Sequence, residues 1–159
     1  MSAREKPRGP RPGAAAVGAP GLPAAAGVYL LVMYLPAGHE IRVGRLGLRH
    51  FRRGWYLYAG SARGPGGIRA RCARHLRPDK RQRWHIDCLT QVAQVRQIWF
   101  SEEMTEMHLV TELLRYPTLE QPVAGFGASD SRARAHLFYS PANPGAARLT
   151  RRMSLSLPE

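Results

Sequence analysis

The residues best placed for chemistry lie on two segments, 67–76 and 103–116, both of which read as helices. On a wheel of about 100° per residue, the second segment carries an apolar stripe of Leu109, Val110, Leu113 and Leu114. Glu106 falls in the middle of that stripe, whereas His108 and Glu112 lie on the opposite, solvated side. A carboxylate turned toward a core needs a cation or a metal ion beside it, and such misplaced acids are enriched at functional sites. A place near the helix start, or a buried ion pair with an arginine, explains it without function. On the first segment Ile68, Cys72 and Leu76 form the buried face. Arg71 and His75 share one edge of that face, and Arg74 and Arg77 point toward solvent. Cys72, His75, His85 and Cys88 spell C-x2-H-x9-H-x2-C, ligand types and short spacings that suit zinc. Both cysteines also fit buried apolar positions, where free Cys is commonly a small hydrophobe, and that reading is preferred.

These helices need a sheet to hold them. Val28–Leu35 is an apolar, β-branched and aromatic run that reads as a central strand. A turn at 36–38 leads into 39–45, whose alternation makes it the expected hairpin partner of that first strand. Residues 54–60 read as a third strand, bounded by glycines. A glycine-rich loop precedes the first helix, which Pro78 stops. Further helices are expected at about 83–94 and 103–116, a short strand at 95–100, a glycine loop at 125–130 and an apolar run at 136–139. The pattern is α+β: a small central antiparallel sheet of about three strands flanked by helices. Residues 1–26, rich in Ala, Pro and Gly, read as a disordered basic tail, 27–140 as one domain, and 141–159 as a second, mobile tail.

Charge narrows the partners. The 159 residues carry a formal charge of +13. From Arg42 to Arg83 there are twelve Arg and one Lys against a single acid, Asp79. A positive field of this kind attracts polyanions, with nucleic acid first and an anionic membrane surface second. No apolar run approaches the roughly 18 residues that a membrane span needs. Pro20 and Pro23 interrupt the apolar part of the start, which argues against a secretory leader. Two cysteines make no disulfide framework, so a reducing compartment is expected, cytoplasmic and nucleoid-associated.

Gly27-Val28-Tyr29 opens the first strand, and Tyr58-Ala59-Gly60 closes the third. Two tyrosines beside glycines, followed in order by Arg71, His75 and Glu106, resemble the signature of the GIY-YIG nuclease superfamily. Residues 43–47, 56–62, 64–67, 74–77, 84–87, 125–130 and 136–138 are similar to one branch of it. That branch comprises small bacterial and archaeal proteins, a domain of unknown function sometimes fused to the base-excision enzyme endonuclease III. The resemblance runs from Gly27 to about Tyr139. Its departures are a longer gap between the two tyrosine motifs, Val28 and Ala59 in place of isoleucines, and Ser131 and Ala133 where the branch often has Cys-x-Cys.

The resemblance implies hydrolysis of a phosphodiester in DNA, in repair or processing, with one Mg²⁺ or Mn²⁺ held by Glu106. Arg71 would clamp the phosphate. Tyr29 would be the base and Tyr58 a hydrogen-bonding partner, or the reverse, with His75 assisting. The tyrosine acting as base must have its pKa lowered by nearby positive charge. His85 and Asp87 would be supporting or DNA contacts, or simply the polar start of a helix. Arg49, Arg52, Arg53, Arg63, Arg69, Arg74 and Arg77 would meet backbone phosphates, giving salt-dependent binding with DNA favoured over RNA. Two alternatives stay open: a non-catalytic nucleic-acid-binding module on the same fold, and an adaptor whose basic face meets an acidic partner.

Overall fold

A computed structural model describes residues 21–128 and 133–158. Its centre is a four-stranded antiparallel sheet in the order β5-β1-β4-β6, built from β1 (Gly27–Leu35), β4 (Gly54–Ala62), β5 (Gln94–Ser101) and β6 (Leu137–Ser140). β1 and β4 pair along their whole lengths, from Gly27 opposite Ala62 to Leu35 opposite Gly54. Successive side chains of a strand point to opposite faces, and β1 follows this without a break. Tyr29, Leu31, Met33 and Leu35 enter one core, and Val28, Leu30 and Val32 the other. Apolar residues on both faces are what a central strand covered on two sides requires.

The two faces are covered differently. α1 (Gly67–Leu76) and α2 (His85–Thr90) share the first core, through Ile68, Cys72, Ile86 and Leu89. α3 (Glu106–Leu114) and α4 (Ala146–Arg152) share the second, through Leu109, Val110, Leu113, Leu149 and Met153. The expected α+β class, helices flanking a small antiparallel sheet, is thus the observed one. α1 has the bounds expected of it, whereas α2 and α3 are shorter than their apolar patterns suggested. Leu114, counted in the buried stripe, is 55% exposed.

Three expectations are corrected. The segment 39–45 does not pair with β1. It supplies β2 (His39–Arg42), which pairs with β3 (Leu48–Phe51) in a separate two-stranded sheet around a 3-10 turn at 44–46. Alternation shows which face a strand presents, but not which strand is its neighbour. Both neighbours of β1 are taken, by β4 and β5. Residues after Ser140, read as a tail, form α4 and a bridge of Ser156 to Phe100, with Leu149, Met153 and Leu155 buried. The first tail also ends earlier than expected. Leu22 is fully buried, and Ala25 and Pro23 accept the Ile68 and Arg69 amides at 3.0 and 2.9 Å, capping α1 in place of a side chain. Residues 1–20 lie outside the described residues.

Candidate functional site

Tyr29 and Tyr58 stand on the same face of neighbouring strands, on a diagonal, because Tyr29 pairs with Gly60 and Leu31 with Tyr58. The glycines make room for them. A Cβ on Gly60 would overlap the Tyr29 ring, and one on Gly127 would lie 2.8 Å from the Tyr58 ring. Gly127 also has a φ of +71°, where side chains other than glycine are strained.

α1 runs across these rings and places His75 Nε2 2.7 Å from the Tyr29 hydroxyl. His75 is 2% exposed, and its Nδ1 has no partner among the described residues. Burial drops its pKa to about 3, helped by the charges of Lys80, Arg74 and Arg71 and opposed by Asp87, so the ring is neutral. Arg71, one turn earlier, has its guanidinium carbon 4.3 Å from the centre of the Trp84 ring. It makes neither an ion pair nor a hydrogen bond with another described residue.

Glu106 arrives from the other side of the sheet. It is the first residue of α3, whose amides are capped by the Thr105 hydroxyl. Its carboxylate is 24% exposed and accepts from His136 Nδ1 at 2.7 Å. Burial works against its ionisation, but hydrogen bonds from His136 and Ser61 and the charges of His136 and Arg63 outweigh this and hold its carboxyl below the ordinary range. Of the two explanations offered for its position, the helix start holds, whereas the expected arginine partner is replaced by His136 and Ser61.

Tyr29, Tyr58, Arg71, His75 and Glu106 thus line one cleft of about 570 Å³, together with Ser61, Arg63, Arg83, Trp84 and His85. One expectation about it fails. Positive charge was required to lower a tyrosine pKa, yet both are raised. Burial lifts Tyr29 well above its usual value, as do its neighbours Tyr58 and Cys72; Arg71 pulls the other way. Burial and the Glu106 charge do the same to Tyr58, again against Arg71. Both phenols therefore keep their protons at neutral pH.

Of the arginines expected to face nucleic acid, the structure keeps some and spends others. Arg63 lines the cleft, Arg69 is exposed on α1 with its Nε bonded to the Leu22 carbonyl at 2.7 Å, and Arg77 is exposed just after the helix. Arg49 is exposed in β3. Arg74 does not point into solvent. It holds fully buried Asp87 in a two-pronged pair at 2.8 and 2.9 Å and lies 4.1 Å from the Trp84 ring centre. Asp87 also accepts the Arg83 and Trp84 amides, so it caps α2 and is no DNA contact. Arg52 is paired with Glu120 at 2.6 Å, and Arg53 with the Tyr34 hydroxyl at 3.1 Å. Both precede Gly54, at the end of the sheet remote from Tyr29. His85 borders the cleft and accepts the Gly127 amide through Nδ1 at 2.9 Å.

The Cys/His set does not converge. Cys72 is in the core, with its thiol pushed up to about 12 by burial; Cys88 donates to the His85 carbonyl, and His75 and His85 have the partners given above. Sequence reasoning missed Ser61, Arg83, Trp84 and His136. His136 left a faint signal, a lone histidine heading an apolar strand, but only the fold shows that it meets Glu106.

Could Glu106 hold a divalent ion? Among the described residues no group of three or more His, Cys, Asp or Glu can do so. A single ionised carboxylate, with its remaining coordination left to water and substrate phosphate, is nevertheless a mode that Mg²⁺ commonly takes. The donor chemistry therefore fits one hard cation.

Fold and site together define a small α+β protein with a tyrosine–arginine–glutamate cleft at one end of its two central strands. Residues 28–157 match the family described as "Domain of unknown function DUF123", and the chain belongs to that family. No curated protein and no solved structure matches the chain. No helix among the described residues is long and apolar enough to cross a membrane.

Proposed function

We propose that the protein is a divalent-metal-dependent endonuclease that hydrolyses phosphodiester bonds in DNA, in repair or processing. The observation carrying this reading is the convergence of Tyr29, Tyr58, Arg71, His75 and Glu106 on one cleft, in the order that resembles the GIY-YIG nucleases. Arg71 has N–H groups that no described residue takes up, so it can grip a phosphate in the two-pronged manner of a guanidinium. Tyr58 borders the cleft and can donate its hydroxyl proton to a phosphate oxygen or water. His75 fixes the Tyr29 hydroxyl, and His136 with Ser61 aims the Glu106 carboxylate. A divalent ion on Glu106 supplies neutralisation of phosphate charge and a field of the sign that lowers a tyrosine pKa. With both tyrosines protonated in the protein as it stands, such a field would be needed before either could act as base. Of the two, Tyr58 is the better base, because the Tyr29 hydroxyl already has a buried partner.

The test is cleavage of labelled single-stranded, duplex and branched DNA with Mg²⁺ or Mn²⁺ and with EDTA, comparing wild type with Glu106→Ala. Metal-dependent cutting that the variant loses is the expected result. Unchanged cutting by the variant would sink the assignment of Glu106. Salt-sensitive binding with no cutting under any divalent ion would leave a non-catalytic binding module, a reading that the raised pKa values of both tyrosines favour.

A further inference from the structure

The connection between β1 and β4 is longer than the sheet requires. Leu35 pairs directly with Gly54, so a tight turn could join the strands at the end remote from the cleft. Residues 36–53 instead fold back over the sheet as the β2–β3 ribbon. Val43 and Phe51 are each 1% exposed and anchor the ribbon in the same core as Tyr58, with Ile41 and Leu46 packed against it. Its tip reaches the rim of the cleft. A Cβ on Gly44 would stand 3.8 Å from the His85 ring, and Leu46 lies against Gly125, two residues from the glycine under Tyr58.

The outward side of this ribbon carries Arg42 and His50 beside one acid, Glu40, and the tip adds Arg45. Arg42 pairs with Leu48 and Glu40 with His50, all four exposed, and Arg45 stands exposed at the tip. Among the described residues no carboxylate lies within ion-pair distance of Arg42, Arg45 or Arg49. This separates them from Arg52 and Arg74, whose charges are answered within the fold. Arg42 and Arg45, together with Arg49, which stands on the Ile41 side of the ribbon with its Nε on the Leu46 carbonyl at 3.0 Å, are guanidinium groups without a carboxylate partner beside the cleft, a surface for a polyanion continuous with whatever the cleft holds. A two-stranded ribbon is also narrow enough to lie along a duplex groove.

We infer that the β2–β3 ribbon is a nucleic-acid-binding arm, with Arg42, Arg45 and Arg49 taking backbone phosphates of duplex DNA to one side of the cleaved bond. The inference rests on the nuclease reading for the position of that bond, but not for binding itself. The arm would position the duplex, so its loss should be felt in affinity before chemistry.

The experiment is a salt titration of binding to a short labelled duplex DNA in EDTA, so that nothing is cut. It uses full-length wild type, R42S/R45S, and R151S/R152S on α4, whose helix packs on the opposite face of the sheet. Each phosphate contact adds about 0.9 to the slope of log affinity against log salt. R42S/R45S should flatten that slope by about 2, and R151S/R152S should leave it as in wild type. All the arginines changed are exposed, and thermal melting confirms that each variant is folded. An R42S/R45S slope equal to wild type, equal losses in both double variants, or no duplex binding by wild type would each overturn the arm. Cleavage with Mn²⁺, measured on the same proteins, separates the two readings. A flattened slope without any wild-type cleavage keeps the arm and removes the nuclease, whereas cleavage with an unchanged slope does the reverse.

Discussion

The two ends of the β1–β4 pair are made from the same residue types and use them in opposite ways. At the Leu35–Gly54 end, the Tyr56 hydroxyl donates to the Arg52 carbonyl and the Tyr139 hydroxyl to the Arg53 carbonyl, each at 2.7 Å. Arg52 pairs with Glu120 and lies 4.1 Å from the centre of the Tyr139 ring, while Arg53 donates to the Tyr34 hydroxyl. Tyrosine, arginine and glutamate satisfy one another there. At the Gly27–Ala62 end, Arg71 has only the face of Trp84, and Glu106 is held by His136 and Ser61 rather than by an arginine side chain in contact. A buried polar group without a partner costs about 1–3 kcal/mol. The one buried side-chain atom left without a partner among the described residues, His75 Nδ1, lies at the cleft end, so the proposed function places the ligand there and leaves the paired end to the fold.

The sharpest way to break this comparison is to remove one glutamate from each end. Glu106→Ala should lower metal-dependent cleavage by about a thousandfold or more, since charge stabilisation by a held ion is worth several kcal/mol. Glu120→Ala removes an exposed pair, worth at most about 1 kcal/mol, and should leave the cleavage rate within about twofold. Equal losses in the two variants would show that the distinction between the ends is not functional.

Next come the tyrosine hydroxyls. Tyr58→Phe should cut the rate by about a hundredfold or more, the scale of a positioned proton donor or acceptor, with little change in melting temperature. Tyr56→Phe should do the opposite, losing about 1 kcal/mol of stability with its hydrogen bond while cleaving normally. Unfolding curves and single-turnover rates on the same two variants decide the matter.

How much of this contrast can be read from sequence follows from its range. Tyr29, Tyr58, Arg71, His75 and Glu106 stand out because each sits beside a local landmark, a glycine, a helix edge or an apolar stripe. The same applies to α1, whose Ile68–Cys72–Leu76 repeat and terminating proline are local. Pairings are not local. The basic run shows twelve arginines without showing that Arg74 belongs to Asp87 or Arg52 to Glu120. The reading of 39–45 as a partner of β1 fails for the same reason, because two-residue alternation carries no information about the neighbour. In the C-terminal segment, Leu149 and Met153 are four apart and mark a buried helical face. The flanking Ala, Gly and Arg residues hid it.

Stability should distinguish the ends through their glycines. Gly60→Ala forces a methyl group into the Tyr29 ring, an overpacking that costs about 1–3 kcal/mol, and it should displace the hydroxyl that His75 holds. Gly38→Ala, in the exposed turn at the far end, meets its nearest atoms, of His50 and Phe51, at 3.4–3.5 Å and has no positive φ. It should stay within about 0.5 kcal/mol of wild type, as surface substitutions usually do. Thermal melting measures both, and a Gly60→Ala protein as stable as Gly38→Ala would mean that Tyr29 can yield.

The last expected effect is a pH dependence centred on the cleft end. His75 has a folded pKa of about 3, lowered chiefly by burial, whereas an unfolded histidine takes up a proton near pH 6.5. Below about pH 6.5 the unfolded chain therefore binds a proton that the folded protein refuses, so stability falls as pH falls, by up to about 1.4 kcal/mol per pH unit. His85, also lowered chiefly by burial, adds to the same trend. Asp87 and Glu106 have carboxyls held below their usual range, so their contributions disappear only at lower pH. The window from pH 6.5 to 5 thus isolates the histidines. In it, His75→Gln should flatten the fall in unfolding free energy, and a variant as pH-sensitive as wild type would place the proton uptake elsewhere. The neutral ring is also what lets His75 sit against the Tyr29 hydroxyl with Lys80, Arg74 and Arg71 nearby, because a charged imidazole there would add a further cation beside theirs.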